Sequence, residues 1–324
     1  MMMKSSVAWG VLALEVALAL ALPAAAQTGP ELLLKPFPRE RTLETRSDAV
    51  WLGQGETDNA DADFQLSLYE SFGRARVFPG QRADPRVGYD VLYLDLDTDD
   101  PALPGHLTDH SVALGMGVLD LDGWLGGLTV GVGYAGENVY NDANAFYYMA
   151  TFAVGREIDE SSQVGVVLDY NGNRTIYPDL PLPGFQYRKR IDPKLLLGVG
   201  FPVTSVEWKP SDRLTFDFTY LIPDRLRARV DYAVMKTLGL FAEYDDRTEA
   251  FHIDELPGDR RLIYEQKRAE AGVRWDPFEN ASLIVAGGYA FDQEFNVGFD
   301  TRDAPNVAEP SDEPYVRVGF EMRF

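Results

Sequence analysis

Apolar and polar residues alternate along most of this chain. In "PYVRVGFEMRF", residues 314–324, one face carries Val316, Val318, Phe320, Met322 and Phe324, and the other carries Tyr315, Arg317, Gly319, Glu321 and Arg323. "RLTFDFTYL" separates Leu214, Phe216, Phe218 and Tyr220 from Thr215, Asp217 and Thr219. "RLRARVDYAV" separates Leu226, Ala228, Val230, Tyr232 and Val234 from Arg227, Arg229 and Asp231. In "LGLFAEYD", Leu238, Leu240, Ala242 and Tyr244 oppose Glu243 and Asp245. In "KRAEAGVRW", Ala269, Ala271, Val273 and Trp275 oppose Arg268, Glu270 and Arg274. A period of two is that of a strand with two unlike faces. From about residue 62 onward such segments follow one another between turn residues, and helical periodicity is nearly absent.

A soluble β-sandwich also alternates, but two features favour a barrel whose apolar face meets lipid and whose charged face meets water. Aromatics recur at segment ends (Tyr134, Tyr170, Trp208, Tyr220, Tyr244, Trp275, Tyr289), where membrane interfaces place them. The connections also alternate between long and short. Counting back from a last strand that runs inward, 292–314, 245–260, 222–224, 171–192 and 136–144 are expected to be external. The stretches 276–280, 235–237, 209–212 and 157–162 are then periplasmic turns. Earlier strands are expected near 62–77, 87–96, 107–120, 124–135, 144–156 and 163–170, with one strand between the 171–192 loop and the 209–212 turn. Bacterial barrels of one chain have an even strand number, so a further strand near 49–55 or one fewer upstream is required. The expected fold is therefore all-β, an up-and-down antiparallel transmembrane β-barrel of about 12–14 strands.

The first residues change the picture of location. Lys4, an apolar run over 7–22, and small residues at Ala24 and Ala26 before Gln27 read as a secretory signal, residues 1–26. The alternative is an N-terminal anchor, although the run is shorter than a spanning helix needs. Residues 27–61 lack clean periodicity and are expected to form a periplasmic arm or plug, with 62–324 as the barrel. The net charge of −21 excludes a generic nucleic-acid binder, which needs a basic footprint. The chain has no cysteine, so neither disulfides nor thiolate metal sites arise.

The signal segment, the alternating strands and the terminal phenylalanine together resemble a Gram-negative outer-membrane β-barrel. Tyr315, Phe320, Met322 and Phe324 are similar to the C-terminal assembly signal of that class, which implies recognition by the barrel-assembly machinery. "VEWKPSDRLTFDFTYLIPDRLRARVDY" and "YEQKRAEAGVRWDPFENASLIVAGGYAF" resemble an uncharacterised family of such barrels over roughly residues 195–324. That family brings no assigned activity with it.

Candidates for chemistry are few. Among three histidines, His110 lies between Asp109 and Ser111, but neighbours on a strand point to opposite faces and a triad must converge. Asp95, Asp97, Asp99 and Asp100, and again Asp58, Asp61 and Asp63, offer oxygen ligands for Ca²⁺. The spacing of Asn59, Asp61, Asp63 and Glu70 is like an EF-hand loop, yet Phe64 stands where glycine is needed. Solvated loop acids are the favoured account of both runs. The informative constellation is the inward face: Arg227, Arg229, Asp231, Glu243, Arg268, Glu270, Arg274, Arg317, Glu321 and Arg323. Opposed charges there either line an aqueous constriction or pair to fill a narrow lumen. Arginines outnumber acids in this set, which by itself would favour anions, whereas the acidic external stretches 95–100, 245–255 and 292–312 would give weak cation selectivity at low salt, shifting toward neutral or anion selectivity as salt screens them.

These observations point to an outer-membrane protein exported through the periplasm. It is expected to act as a passive channel or small-solute transporter, with a structural, non-conducting barrel as the alternative and an outer-membrane lipid hydrolase third. No cofactor and no catalytic residue are implied. The expected partners are outer-membrane lipids, the assembly machinery, and small solutes or ions.

Overall fold

The computed structural model describes residue 33, residues 37–38, and residues 40–324 apart from 59, 80–82, 223–224, 255 and 258. The expected signal segment and Asn59 lie outside the described residues. Sixteen antiparallel strands form one closed sheet. In chain order they are β1 (Leu43–Leu52), β2 (Ala62–Arg76), β3 (Arg86–Thr98), β4 (His106–Leu121), β5 (Trp124–Gly136), β6 (Phe146–Asp159), β7 (Ser162–Asn171) and β8 (Leu182–Asp192). There follow β9 (Leu195–Phe201), β10 (Val203–Ser211), β11 (Leu214–Leu221), β12 (Arg225–Met235), β13 (Leu238–Phe251), β14 (Arg261–Phe278), β15 (Ala281–Gly298) and β16 (Glu313–Arg323). Each pairs with its neighbour in sequence, and β16 returns to β1 with Ala49 opposite Val318 and Glu44 opposite Arg323. The Phe324 amide donates to the Leu43 carbonyl at 2.8 Å, so the terminal residue completes the seam. Short ribbons at Gly55–Thr57 and Asn306–Ala308 extend the sheet at the end remote from that seam's start.

The count of sixteen exceeds the expected 12–14, for two local reasons. Leu182–Asp192 is a strand inside the stretch expected to be an external loop. Prolines at 181 and 183 and the run Arg188–Lys189–Arg190 hide the alternation of Phe185, Tyr187 and Ile191. The single strand expected after it is a hairpin, β9 and β10, that turns at Pro202, where a missing amide costs no ladder bond. The long connections are also shorter than expected, because β13 runs to Phe251 and β15 to Gly298.

The exterior is a belt of exposed apolar side chains, among them Val112, Leu114, Val130, Val166, Val199 and Val285, the last two being 57% and 54% exposed. Such a surface is untenable in water and suits hydrocarbon. Trp208 stacks on Phe216 at one rim and Trp51 meets Tyr69 edge-on at the other. At the seam the pattern relaxes: Ser47 and Ser71 face outward and hydrogen-bond at 2.9 Å, while Tyr89 bonds Thr45. The Tyr89 ring lies so close over Gly73 that a Cβ there would sit 2.9 Å from its Cε1. The outward hydroxyls are thus satisfied by one another, as polar groups in lipid must be.

Wall height is uneven. β14 and β15 have 18 residues each and β9 has 7. Beyond the belt, inward apolar residues of the tall strands pack together, with Phe251, Leu262, Tyr264 and Phe295 against Leu66, Leu94, Leu96 and Leu107. His252 reaches across to β5, its amide donating to the Ala135 carbonyl at 3.0 Å. The tall half of the wall therefore closes on itself, while the short half, β8 to β12, leaves a low rim.

If Val285 faces hydrocarbon, Val285→Arg should destabilise the barrel refolded in vesicles by about 2–4 kcal/mol, measured by denaturant unfolding against Val285→Leu. A loss below about 0.5 kcal/mol, within the range of ordinary surface substitutions, would mean that this face does not meet lipid.

Candidate functional site

Closing a sheet sends every second side chain inward, and the inward residues of β1, β12, β13, β14 and β16 are rich in charge, whereas those of β15 are small or apolar. They do not remain loose in the lumen. Glu243 accepts from Arg227 at 3.0 Å and from Arg229 at 2.7 Å, and Arg229 also binds Asp231 at 2.8 Å. Arg268 pairs with Asp245 at 3.2 Å. Arg317 bridges Asp48 at 2.6 Å and Glu270, and the Tyr315 hydroxyl donates to Glu270 at 2.9 Å. Arg46 completes the layer against Asp48 at 2.5 Å. The Phe241 ring lies within this layer, with Arg229 4.2 Å and Arg317 5.6 Å from its centroid. Each buried charge thus has an opposite partner, the condition under which burial is tolerable.

Of the ten inward residues expected from sequence, seven meet in this layer. Arg274, Glu321 and Arg323 stand near the rim where β16 ends: Arg274 lies 3.4 Å from Asp276, Arg323 bonds Glu321 at 2.8 Å, and Glu321 reaches the layer through Arg46 at 3.9 Å. The arginine surplus of that set disappears once Asp48, Asp245 and Arg46 are counted, which leaves five arginines against five carboxylates in the layer. Asp48 was missed because β1 was expected only near 49–55. Asp245 was placed at the start of a loop although its face had been identified. Of the four residues resembling an assembly signal, Phe320, Met322 and Phe324 share the outer face and Tyr315 points inward.

On the side of this layer where β1 begins and β16 ends, Phe37 enters the barrel ahead of β1. Phe37 is fully buried beneath three guanidiniums, with Arg74, Arg76 and Arg86 at 4.4, 4.8 and 5.6 Å from its ring centroid. Arg76 donates to the carbonyls of Phe37, Pro38 and Arg41 at 2.8, 3.1 and 2.8 Å, fixing the arm by its backbone. Asp84, in the β2–β3 turn, accepts from Arg76 at 2.5 Å and from Arg86. Burial alone would raise the Asp84 carboxyl, but these hydrogen bonds and charges hold it below the ordinary carboxylate range.

On the other side of the layer lies a cavity of about 320 Å³. Glu70, Asp90, Asp109 and Glu249 line it together with Arg247, and Leu182, Pro202, Val203 and Ile222 form its edge at the low rim. Asp109 is held by the Tyr147 hydroxyl at 2.6 Å and the Asn173 amide at 3.0 Å. His110 points outward to Thr108 and Tyr140, so Asp109 and His110 do diverge. Glu70 is engaged by Arg247 at 2.8 Å inside the lumen, away from Asp61 and Asp63. Asp100 accepts from Thr57 at 3.1 Å and from the Ala102 amide at 2.9 Å, a turn-forming role. Among the described residues no group of three acids or histidines is arranged to hold a metal ion.

No protein-family model matches the chain, and comparison with curated proteins returns no match. Solved structures similar to it include a mutant of the TodX monoaromatic hydrocarbon channel, at 9% identity and TM-score 0.43, covering 95% of this chain and 98% of that one. A Pseudomonas aeruginosa FadL homologue has 11% identity and TM-score 0.39, covering 98% and 97%. The KdgM porin in complex with disordered oligogalacturonate has 9% identity and TM-score 0.28, covering 86% and 99%. At these scores the likenesses carry no inference about solute or mechanism.

Two outcomes test this geometry. Arg317→Met strands Glu270 and should cost about 3–5 kcal/mol, while adding Glu270→Gln should recover about half of that. Strictly additive losses in denaturant unfolding would show that the two do not pair. For Asp84 the depressed carboxyl contributes stability that is present above its unfolded pKa of about 3.9 and is lost as pH falls through the folded value. Protease cutting of the arm should therefore accelerate in acid, and Asp84→Asn should be cut quickly at every pH. An unchanged pH profile in that variant would contradict the clamp.

Proposed function

We propose that this protein is an outer-membrane barrel, exported through the periplasm, that admits small solutes to its lumen and passes them as a channel or transporter. The single observation that supports this most is a charged, water-suited cavity of about 320 Å³ inside a barrel whose exterior is apolar. A lumen needed only for structure would be filled most simply by side chains meeting across it, as they do at the Phe241 layer. The last strand, with Phe320 and Phe324 on its outer face, is the segment we assign to recognition by the assembly machinery.

A second reading keeps a specific observation in its favour. The arm clamped at Phe37, and the apolar closure around Phe251 and Phe295, obstruct both ends of the tall half of the barrel. A structural, non-conducting barrel would look the same there. Lifetime of the arm contact separates the two readings, because a channel must open it.

Planar-bilayer recording on the refolded chain decides between them. The expected record is small, intermittent conductance in the wild type and larger, steadier conductance in Phe37→Ala. Selectivity should favour cations even at about 1 M salt, where fields of exposed loops are screened within about 3 Å but lumen carboxylates are screened less. Silence from both proteins would support the structural reading, and anion selectivity would contradict the charge balance described for the lumen.

A further inference from the structure

The charges of the lumen are matched in the Phe241 layer and unmatched in the cavity above it. There Glu70, Asp90, Asp109 and Glu249 face the space against the guanidiniums of Arg247 and Arg225, while Asp169 and Arg174, which also line it, pair with each other, and the matched charges of the layer form its floor. Arg247 hydrogen-bonds Glu70 through Nη2 at 2.8 Å and stands 3.8 Å from Glu249, while its Nε and Nη1 are buried without a hydrogen-bond acceptor. Asp109 already has its two neutral donors, Tyr147 and Asn173. Asp90 has none: it is 9% exposed, within Coulombic range of Glu70, Asp109 and Glu249 on one side and of Arg247 on the other, and its Oδ1 is buried without a hydrogen-bond donor. Burying a carboxylate without a hydrogen bond is unfavourable. Such a group, aimed into a cavity, is suited to a donor that arrives from outside.

The walls narrow the identity of that donor. Phe72, Leu92, Met149 and Val167 line the same space, and Leu182 and Val203 edge its mouth. Since no three acids converge as metal ligands among the described residues, a bare divalent ion fits poorly. A monovalent head with N–H donors and an apolar body fits both parts of the lining. We propose that this chamber binds a small organic cation, an alkylammonium or guanidinium, whose head is taken by Asp90 and Glu249 and whose apolar portion lies along Phe72, Leu92 and Met149. The inference rests on the solute-admitting reading above and names the class of solute. Arg247 acts as the resident counter-charge that holds Glu70 and Glu249 in place when the chamber is unliganded.

Calorimetry on the refolded full chain in detergent, with hexylammonium, hexanoate and hexanol as matched probes, tests this without requiring transport. Hexylammonium is expected to bind saturably at one site per chain, with hexanoate and hexanol weaker by about tenfold or more. Asp90→Asn and Glu249→Gln should each weaken hexylammonium by about tenfold, whereas Glu157→Gln, at the exposed periplasmic end of β6, should not change it. Folding of each variant is read from the heat-dependent shift of the barrel band on a gel, and if Asp90→Asn does not fold, Glu249→Gln carries the comparison. Equal binding of the three probes, no binding, or an unchanged affinity in a folded carboxylate variant overturns the proposal. Hexylammonium binding without conductance would leave the site standing and remove the channel; conductance without binding would remove the site alone.

Discussion

Everything in this molecule depends on the pairing of its first strand with its last. In hydrocarbon an open sheet edge leaves a row of amides and carbonyls without partners, each costing several kcal/mol. The chain meets that constraint by returning β16 to β1, Glu44 against Arg323 through Leu52 against Tyr315. A terminal strand that would be a liability in a soluble sheet is here the element that removes both edges. The alternation of side chains then follows without further instruction, because a closed sheet has one inside and one outside.

The inside is where closure becomes demanding. Side chains that must be polar to meet water are forced together in a space only a few side chains wide. The structure answers with two different solutions in adjacent layers. Around Phe241, five arginines and five carboxylates interlock, Arg46, Arg227, Arg229, Arg268 and Arg317 with Asp48, Asp231, Glu243, Asp245 and Glu270. Replacing such a network by apolar residues is often neutral for stability, so its presence points to the lumen's need to stay wettable. Nearer the low rim the acids outnumber the bases, and the wall opens into the cavity. The uneven wall height, 7 residues at β9 against 18 at β14, places that opening on one side.

Much of this was legible in the sequence, and the losses have physical causes. The period of two at residues 214–221, 225–234, 238–244 and 268–275 identified both faces correctly, because lipid outside and charge inside enforce opposite chemistry on successive residues. The signal weakened wherever one of those demands relaxed. In β2 the inward residues Phe64, Leu66 and Leu68 are apolar and the outward Gln65, Ser67 and Ser71 are polar, since the tall strands bury a core above the lumen and the seam carries paired hydroxyls. β8 was lost to flanking prolines and a basic run. The candidate site was half legible: seven of the ten expected residues share a layer, but Arg46, Asp90, Arg247 and Glu249 carry no local pattern that announces them. Their proximity comes from strand register across the closed barrel, which one strand's sequence does not encode.

The most direct test of the account is whether β1 and β16 are neighbours in the membrane. Ala49 and Val318 are directly opposite on the outer face, and cross-strand pairs lie about 4.5–5.5 Å apart between Cα atoms, within disulfide range. The chain has no native cysteine to confuse the result. Ala49→Cys with Val318→Cys should cross-link in intact outer membranes under mild oxidation, giving a covalently closed species that keeps its barrel mobility, while Ala49→Cys with Val285→Cys should not. Failure of the first pair to cross-link, in protein that is folded and inserted, would mean that the sheet does not close on its own first strand.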